Sequence, residues 1–212
     1  MYEGTKEAQQ ALSPEAALDL LKRGNDRFCN NLHRNRDLLE EVHARSTGQY
    51  PFATILSCMD SRAPAELIFD RGIGDIFNIR IAGNILNDDI LGSMEFGTKV
   101  VGSKIILVLG HTSCGAIKGA CDHAELGHLT QLVQKIVPAM ERETTNQTER
   151  NGQNLDFVNK VSELNVRLVM DQIIKQSPII AELVDEGSIK IYGGMYDVTS
   201  GAVSFLEESI HA

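Results

Sequence analysis

Residues 52–62 read FATILSCMDSR and join an apolar run to a group of reactive side chains. The run at residues 52–56 has the length and composition of a buried strand. Side chains in an extended strand alternate between two sides, so we expect Cys58 and Asp60 to point to the same side, with Arg62 close behind. The stretch therefore predicts a core strand that ends in a functional site.

A second stretch, residues 104–115, has the same organisation and reads KIILVLGHTSCG. Its apolar part predicts another short strand, and His111 and Cys114 follow where that strand ends. Strands and helices alternate along much of the chain, which indicates an α/β fold with a mainly parallel central β-sheet flanked by helices. Ligands bind such sheets at the carboxyl ends of the strands, where both groups of side chains are expected.

The remaining elements follow from apolar periodicity and from capping signals. Helices are predicted at residues 14–30, 37–44, 63–70, 88–101, 114–121, 155–176 and 178–184, a further strand at 75–81, and a C-terminal hairpin at 188–198 and 202–206. Residues 1–12 and 144–154 are expected to be irregular. The apolar stripe of the helix at 14–30 should pack either on its own domain or on a partner subunit.

Length and composition fit one domain, with a helical arm at residues 1–45 and an α/β core at 50–212. The chain has 212 residues, 42% of them hydrophobic, and a formal net charge of −9. This acidic balance argues against nucleic acid and anionic membranes as partners and favours a small molecule. Apolar runs too short to span a membrane and four cysteines without a disulfide pattern indicate a cytoplasmic protein. A removed signal peptide would leave no trace in this sequence.

Cys58, His111 and Cys114 offer the donors that zinc prefers, and three protein ligands with one exchangeable position are typical of catalytic zinc. Two thiolates would offset the charge of the ion, so such a zinc needs help to generate hydroxide. Asp60 could be a fourth ligand or could accept a hydrogen bond from zinc-bound hydroxide. Arg62 would keep the Asp60 carboxylate ionised and oriented.

The motifs CMDSR at 58–62 and HTSCG at 111–115 resemble those of the β-class carbonic anhydrases, and residues 65–70, 74–77, 80–84 and 110–119 are also similar to that family. The resemblance implies one Zn²⁺ per subunit on the two cysteines and the histidine, beside an Asp60 and Arg62 pair. It implies reversible hydration of carbon dioxide to bicarbonate and a proton through zinc-bound hydroxide. It also implies a homodimer or homotetramer in which N-terminal helices extend onto the partner subunit.

By position, Gln49, Phe77 and Phe96 resemble the substrate pocket lining of that family, and Gly115 would border the same pocket. In the family this pocket lies at the subunit boundary, with the amide binding bicarbonate and the rings enclosing carbon dioxide. Members whose aspartate closes onto zinc carry Trp and Val where this chain has Ile55 and Ala63. The resemblance therefore implies that Asp60 stays off the zinc at neutral pH.

Two other functions are compatible with the same residues. The scaffold could hydrolyse a related cumulene of the carbon disulfide type, in which case pocket access or assembly state would differ. It could also be a non-catalytic zinc or thiol sensor, in which a structural metal is closed by a fourth protein ligand. An exchangeable fourth position separates an enzyme from such a sensor.

Overall fold

A five-stranded sheet organises residues 2–206, the part of the chain that the computed structural model describes. Its strand order is β2-β1-β3-β4-β5, with four parallel strands and an antiparallel β5 at one edge. The strands are β1 (Ala53–Ser57), β2 (Ile76–Arg80), β3 (Ile105–His111), β4 (Lys190–Tyr196) and β5 (Val203–Leu206). Strands β1 and β3 are buried along their whole length, as their continuous apolar sequences require. The predicted parallel sheet and C-terminal hairpin are confirmed.

Helices cover both faces of this sheet. They are α1 (Lys6–Ala11), α2 (Pro14–Cys29), α3 (Leu38–Ala44), α4 (Ala65–Ile68), α5 (Asp88–Glu95), α6 (Gly115–Cys121), α7 (Gly127–Gln134), α8 (Val137–Arg142), α9 (Leu155–Gln176) and α10 (Pro178–Asp185). Helices α2 and α4 pack on the face that includes Ile55 and Leu107. Helices α5, α9 and α10 pack on the face that includes Leu56 and Ile106.

Helix α2 begins where the sequence predicted, because the Ser13 hydroxyl accepts a hydrogen bond from Ala16 N–H and Pro14 occupies the first helical position. Its apolar stripe is buried against the sheet of the same chain. At Gly24 the contact is so close that an added Cβ would lie 1.8 Å from the Phe69 carbonyl oxygen. Helix α2 therefore packs on its own domain.

Helices α7 and α8 form where the sequence analysis predicted no element, and the helix predicted at 63–70 covers only Ala65–Ile68. Two further segments also differ from the prediction. Residues 6–11, expected to be irregular, form α1 because Thr5 caps it and the Gln9 side chain donates to the Pro51 carbonyl at 2.7 Å. The helix predicted at 88–101 is α-helical only to Glu95 and continues as a π-helical turn, Phe96–Val100. The Thr98 hydroxyl donates to the Met94 carbonyl in this turn. Both differences arise from polar contacts that apolar periodicity does not report.

Helix α3 has no buried residue, and polar contacts attach it to the rest of the chain. Glu41 accepts from the Arg36 guanidinium and from Ile73 N–H, and Arg45 pairs with Asp75 at 3.0 Å. Its apolar side chains face outward instead, with Leu39 64% exposed. The extension of N-terminal helices onto a partner subunit stays a prediction, and α3 is the helix whose surface fits it.

Candidate metal centre

The carboxyl ends of β1 and β3 bring together the three predicted metal ligands. Cys58 follows the last residue of β1, His111 is the last residue of β3, and Cys114 is the N-cap of α6. Because β1 and β3 are neighbours in parallel register, these positions meet at one edge of the sheet. The donor atoms of the three side chains lie within 4.8 Å of one another, and all three residues are buried.

The geometry of these donors fits a tetrahedral zinc ion. Zinc–sulfur bonds of the usual length place two thiolates about 3.8 Å apart in a tetrahedron, and the Cys58 and Cys114 sulfur atoms are 3.9 Å apart. The Nδ1 atom of His111 lies 2.9 Å from the Thr112 carbonyl, which fixes this nitrogen as the donor. Its Nε2 atom is buried and has no hydrogen-bond partner within residues 2–206, so its lone pair can bind a metal.

The two thiols are not equivalent. A hydrogen bond with Cys114 lowers the pKa of the Cys58 thiol, aided by His111 and by the Gly83 N–H group 3.4 Å from its sulfur. The same hydrogen bond, together with burial, raises the pKa of Cys114. The two sulfur atoms share a hydrogen bond, and a metal ion that binds both of them must displace its proton.

Beside these donors, Asp60 and Arg62 form a tightly bonded pair. The Arg62 guanidinium donates to both carboxylate oxygens, at 2.9 and 2.7 Å, and its backbone N–H donates to Oδ1 at 2.9 Å. These bonds hold the pKa of Asp60 well below its usual range, with the hydrogen bond from Arg62 as the largest cause. Asp60 Oδ2 lies 3.8 Å from His111 Nε2, beside the metal-binding group and not within it.

The comparisons with known proteins agree with this geometry. A family model described as carbonic anhydrase matches residues 53–203. Carbonic anhydrase 2 of Mycobacterium tuberculosis is 34% identical over 197 residues, which cover 89% of this chain and 91% of that protein. The Mycolicibacterium smegmatis carbonic anhydrase is 32% identical over 198 residues, 90% of this chain and 92% of that protein.

Comparison with solved structures identifies the class of carbonic anhydrase. The β-carbonic anhydrase CafA of Aspergillus fumigatus is 25% identical with a TM-score of 0.72, over 91% of this chain and 90% of that one. The chain belongs to the β-class carbonic anhydrase family. The same fold is seen in a tetrameric β-carbonic anhydrase from Sordaria macrospora, 21% identical with a TM-score of 0.69, over 91% of this chain and 98% of that one.

In this carbonic anhydrase, the loop that carries Cys58 and Asp60 is held by a residue that sequence reasoning missed. Arg80, the last residue of β2, donates to the Cys58 carbonyl at 3.1 Å and also to the Asp60 carbonyl. Both contacts are with backbone atoms, so no side-chain motif reports them. Arg80 belongs to the family-like stretch at residues 80–84, and the register of β1 and β2, which places it opposite Ser57, explains why its side chain reaches this loop.

The predicted pocket residues lie in different places in a single chain of the carbonic anhydrase. Gly115 adjoins Cys114, and within residues 2–206 no side chain or backbone from outside its own helical turn lies within 4 Å of where its Cβ would be. Phe77 pairs with Thr54, about 10 Å before the end of β1, and its ring lies 6.2 Å from that of Phe96. Gln49 precedes β1 at the opposite end of the strand. One chain therefore brings Gly115 to the metal-binding group, and does not bring Gln49, Phe77 or Phe96.

Among the helices of residues 2–206, none has both the length and the apolar character needed to cross a membrane. The longest, α9, has 22 residues and carries charged side chains along its exposed surface.

Proposed function

We propose that this chain catalyses the zinc-dependent, reversible hydration of carbon dioxide to bicarbonate and a proton, with Cys58, His111 and Cys114 as the zinc ligands. The observation that carries the proposal is the convergence of these three buried donors beside an ionised Asp60. A donor set of two sulfurs and one nitrogen leaves the fourth tetrahedral position for an exchangeable ligand. A bound zinc ion supplies a Lewis acid that makes hydroxide available near neutral pH.

Asp60 orients the attacking water in this proposal. Its carboxylate accepts a hydrogen bond from the water, which directs an oxygen lone pair toward the carbon of carbon dioxide. Arg62 holds the carboxylate at three points and so limits its movement toward the metal position. Because its pKa lies well below the usual range, Asp60 stays ionised at neutral pH and does not store the proton that the reaction releases. That proton leaves through solvent, which reaches the half-exposed Arg62.

A partner subunit completes the pocket in this proposal, in a homodimer or homotetramer. Phe77, Phe96 and Gln49 are separated from the metal-binding group of their own chain, so they can line a site only in another copy. Phe96 is 50% exposed, which leaves its ring available for such a contact. The family implies a pocket at the subunit boundary, and the tetrameric relative from Sordaria macrospora is an assembly of the same fold.

A cytoplasmic location is also part of the proposal. Cys29, Cys58, Cys114 and Cys121 are all free thiols, as expected in a reducing compartment. Two of them are the proposed zinc ligands, which must stay reduced to bind the metal.

Stopped-flow measurement of carbon dioxide hydration from about pH 6.5 to 9 tests the proposed function. The range includes the pKa of about 7 expected for water at catalytic zinc. The zinc-loaded protein should turn over carbon dioxide rapidly near neutral pH, and protein stripped with a chelator should lose and then regain turnover when zinc is restored. Zinc-loaded protein without turnover anywhere in this range would overturn the proposal.

A further inference from the structure

The turn between His111 and Cys114 contains an unusual backbone conformation. Ser113 has a φ of 55°, in the left-handed region that residues other than glycine adopt infrequently. This residue reverses the chain between the last residue of β3 and the first turn of α6. The reversal is what lets His111 and Cys114, only three positions apart, direct their donor atoms to one point.

A side chain from another element holds this conformation. The Asn159 Oδ1 atom accepts a hydrogen bond from Ser113 N–H at 2.9 Å. Asn159 lies near the start of α9, and less than one turn later the buried Ser162 hydroxyl donates to the His111 carbonyl at 3.1 Å. Helix α9 packs extensively on β3, so it is a rigid support for both contacts.

We infer that Asn159 is a positioning residue for the metal centre, which acts by keeping Ser113 left-handed. The inference rests on the proposed zinc site. Asn159 binds backbone and not a ligand side chain, so its effect on the metal passes through the direction in which His111 and Cys114 point. Groups that orient metal ligands change metal affinity by about 10- to 100-fold when they are removed.

The Asn159→Leu variant removes the acceptor while keeping a side chain of similar size. Its zinc affinity, measured by competition with a chromophoric chelator, should fall about 10- to 100-fold. Asn159→Asp keeps an oxygen acceptor and should retain most of the affinity. Lys160→Leu is the matched control, because Lys160 lies next along α9 and pairs with the exposed Asp156; its zinc affinity should be unchanged.

A second substitution separates this role from a general loss of packing. Glycine adopts left-handed φ values without steric cost, so in a Ser113→Gly background the Asn159→Leu change should lose most of its effect on zinc affinity. The absorption spectrum of the cobalt-substituted protein gives an independent readout of ligand geometry. It should change in Asn159→Leu and return toward wild type in the double variant. Circular dichroism verifies that each variant is folded.

The possible results separate the role of Asn159 from the zinc site and from the proposed reaction. Equal zinc affinity and equal cobalt spectra in wild type and Asn159→Leu would overturn the inference, as would a loss that Ser113→Gly fails to relieve. A wild-type protein that binds no zinc would overturn the zinc site and this inference together. Zinc binding without carbon dioxide turnover would remove only the proposed reaction, because affinity and spectrum are measured without substrate.

Discussion

Among single residues, Asp60 shows how contacts determine a chemical role. A free carboxylate beside a zinc site can bind the metal, carry a proton or orient a water molecule. Three hydrogen bonds from Arg62 restrain it and hold its pKa low. The restraint disfavours binding of the carboxylate to the metal, and its ionised state disfavours carrying a proton. Orientation of the water molecule is the role that remains for Asp60.

Asp60→Asn tests that role with little change of size. The amide keeps an oxygen acceptor but loses the charge, and its NH₂ group can face the water as a donor. We expect full zinc occupancy and a loss of carbon dioxide turnover of about 100-fold, measured by stopped flow with parallel metal analysis. Asp19→Asn, in an exposed ion pair with Arg23, is the control and should leave turnover unchanged. Wild-type turnover in Asp60→Asn would exclude Asp60 from the mechanism.

The candidate ligands could be predicted from sequence because cysteine and histidine side chains carry their chemistry with them. Cys58, His111 and Cys114 needed only two strand ends at the same edge of a sheet. The supports could not be predicted, because Arg80 and Asn159 bind backbone atoms of residues that are distant in sequence. Nearly every residue has a backbone carbonyl and N–H group, so the sequence does not indicate which residue such a hydrogen bond supports.

For whole elements, the closeness of packing determines which substitutions are tolerated. Helix α2 approaches the chain after α4 so closely that Gly24 faces the Phe69 carbonyl. Gly92 in α5 is also a helical glycine, but in the described part of the chain no atom from outside its own helical turn lies within 4 Å of its Cβ position. Substitution of each glycine by alanine therefore tests the effect of the added methyl group with and without a close backbone neighbour.

Gly24→Ala should destabilise the protein by about 1–3 kcal/mol or more, because the methyl group must displace backbone and not a flexible side chain. Gly92→Ala should stabilise it by about 0.5–1 kcal/mol, since alanine favours the helix and meets no obstacle. Urea denaturation at equal protein concentration measures both. Equal effects of the two substitutions would show that α2 does not pack against the chain at Phe69.

Element prediction succeeded for most segments in which apolar periodicity determines structure, although it left out α7 and α8, and it failed where polar contacts determine structure. Strands β1 and β3 and helix α9 were predicted because burial fixes their sequences. Helix α1 was missed because it is polar and is held through contacts such as that of Gln9 with Pro51. The π-helical turn after Glu95 could not be predicted either, since a continuous helix satisfies the same apolar pattern.

In the molecule as a whole, a network of charges joins the N-terminal segment to the core. Asp70 pairs with Arg27 and lies near Arg36, and it accepts from Arg34 N–H at 3.3 Å. Burial alone would raise the pKa of Asp70, but these arginine contacts outweigh it and the net shift is downward. A carboxylate with a lowered folded-state pKa stabilises the fold above its unfolded pKa of about 3.9.

Asp70→Asn should therefore cost about 2 kcal/mol at pH 7, with a smaller cost at lower pH. The stabilisation is complete above about pH 4 and is lost as the pH falls through the folded pKa, so the two proteins should converge below pH 4. Urea denaturation across this range measures the difference. Asp19→Asn, in its exposed pair, should change stability little at any of these pH values. A constant difference across the range would contradict the assignment.

The outward face of α3 is an exposed apolar surface that subunit association can cover. Leu38, Leu39 and Val42 are all exposed on a helix with no buried residue. Leu39→Asp should shift the protein toward monomers in sedimentation velocity and lower turnover, since the proposed pocket needs a second copy. Leu126→Asp, at an exposed leucine distant in sequence from α3, is the control. An assembly unaffected by Leu39→Asp would place the interface elsewhere.

The meeting of Cys58 and Cys114 at neighbouring strand ends also has a consequence for how the protein unfolds. An ion bonded to both sulfur atoms is a cross-link that closes a loop between positions 56 apart in sequence. A covalent cross-link around a loop of this length lowers the conformational entropy of the unfolded chain, which stabilises the fold by roughly 4 kcal/mol. Removal of the metal should therefore lower the melting temperature measured by calorimetry, and cadmium, which also binds thiolates, should restore it whether or not it restores turnover. The same ion would take part in the reaction and also stabilise the fold.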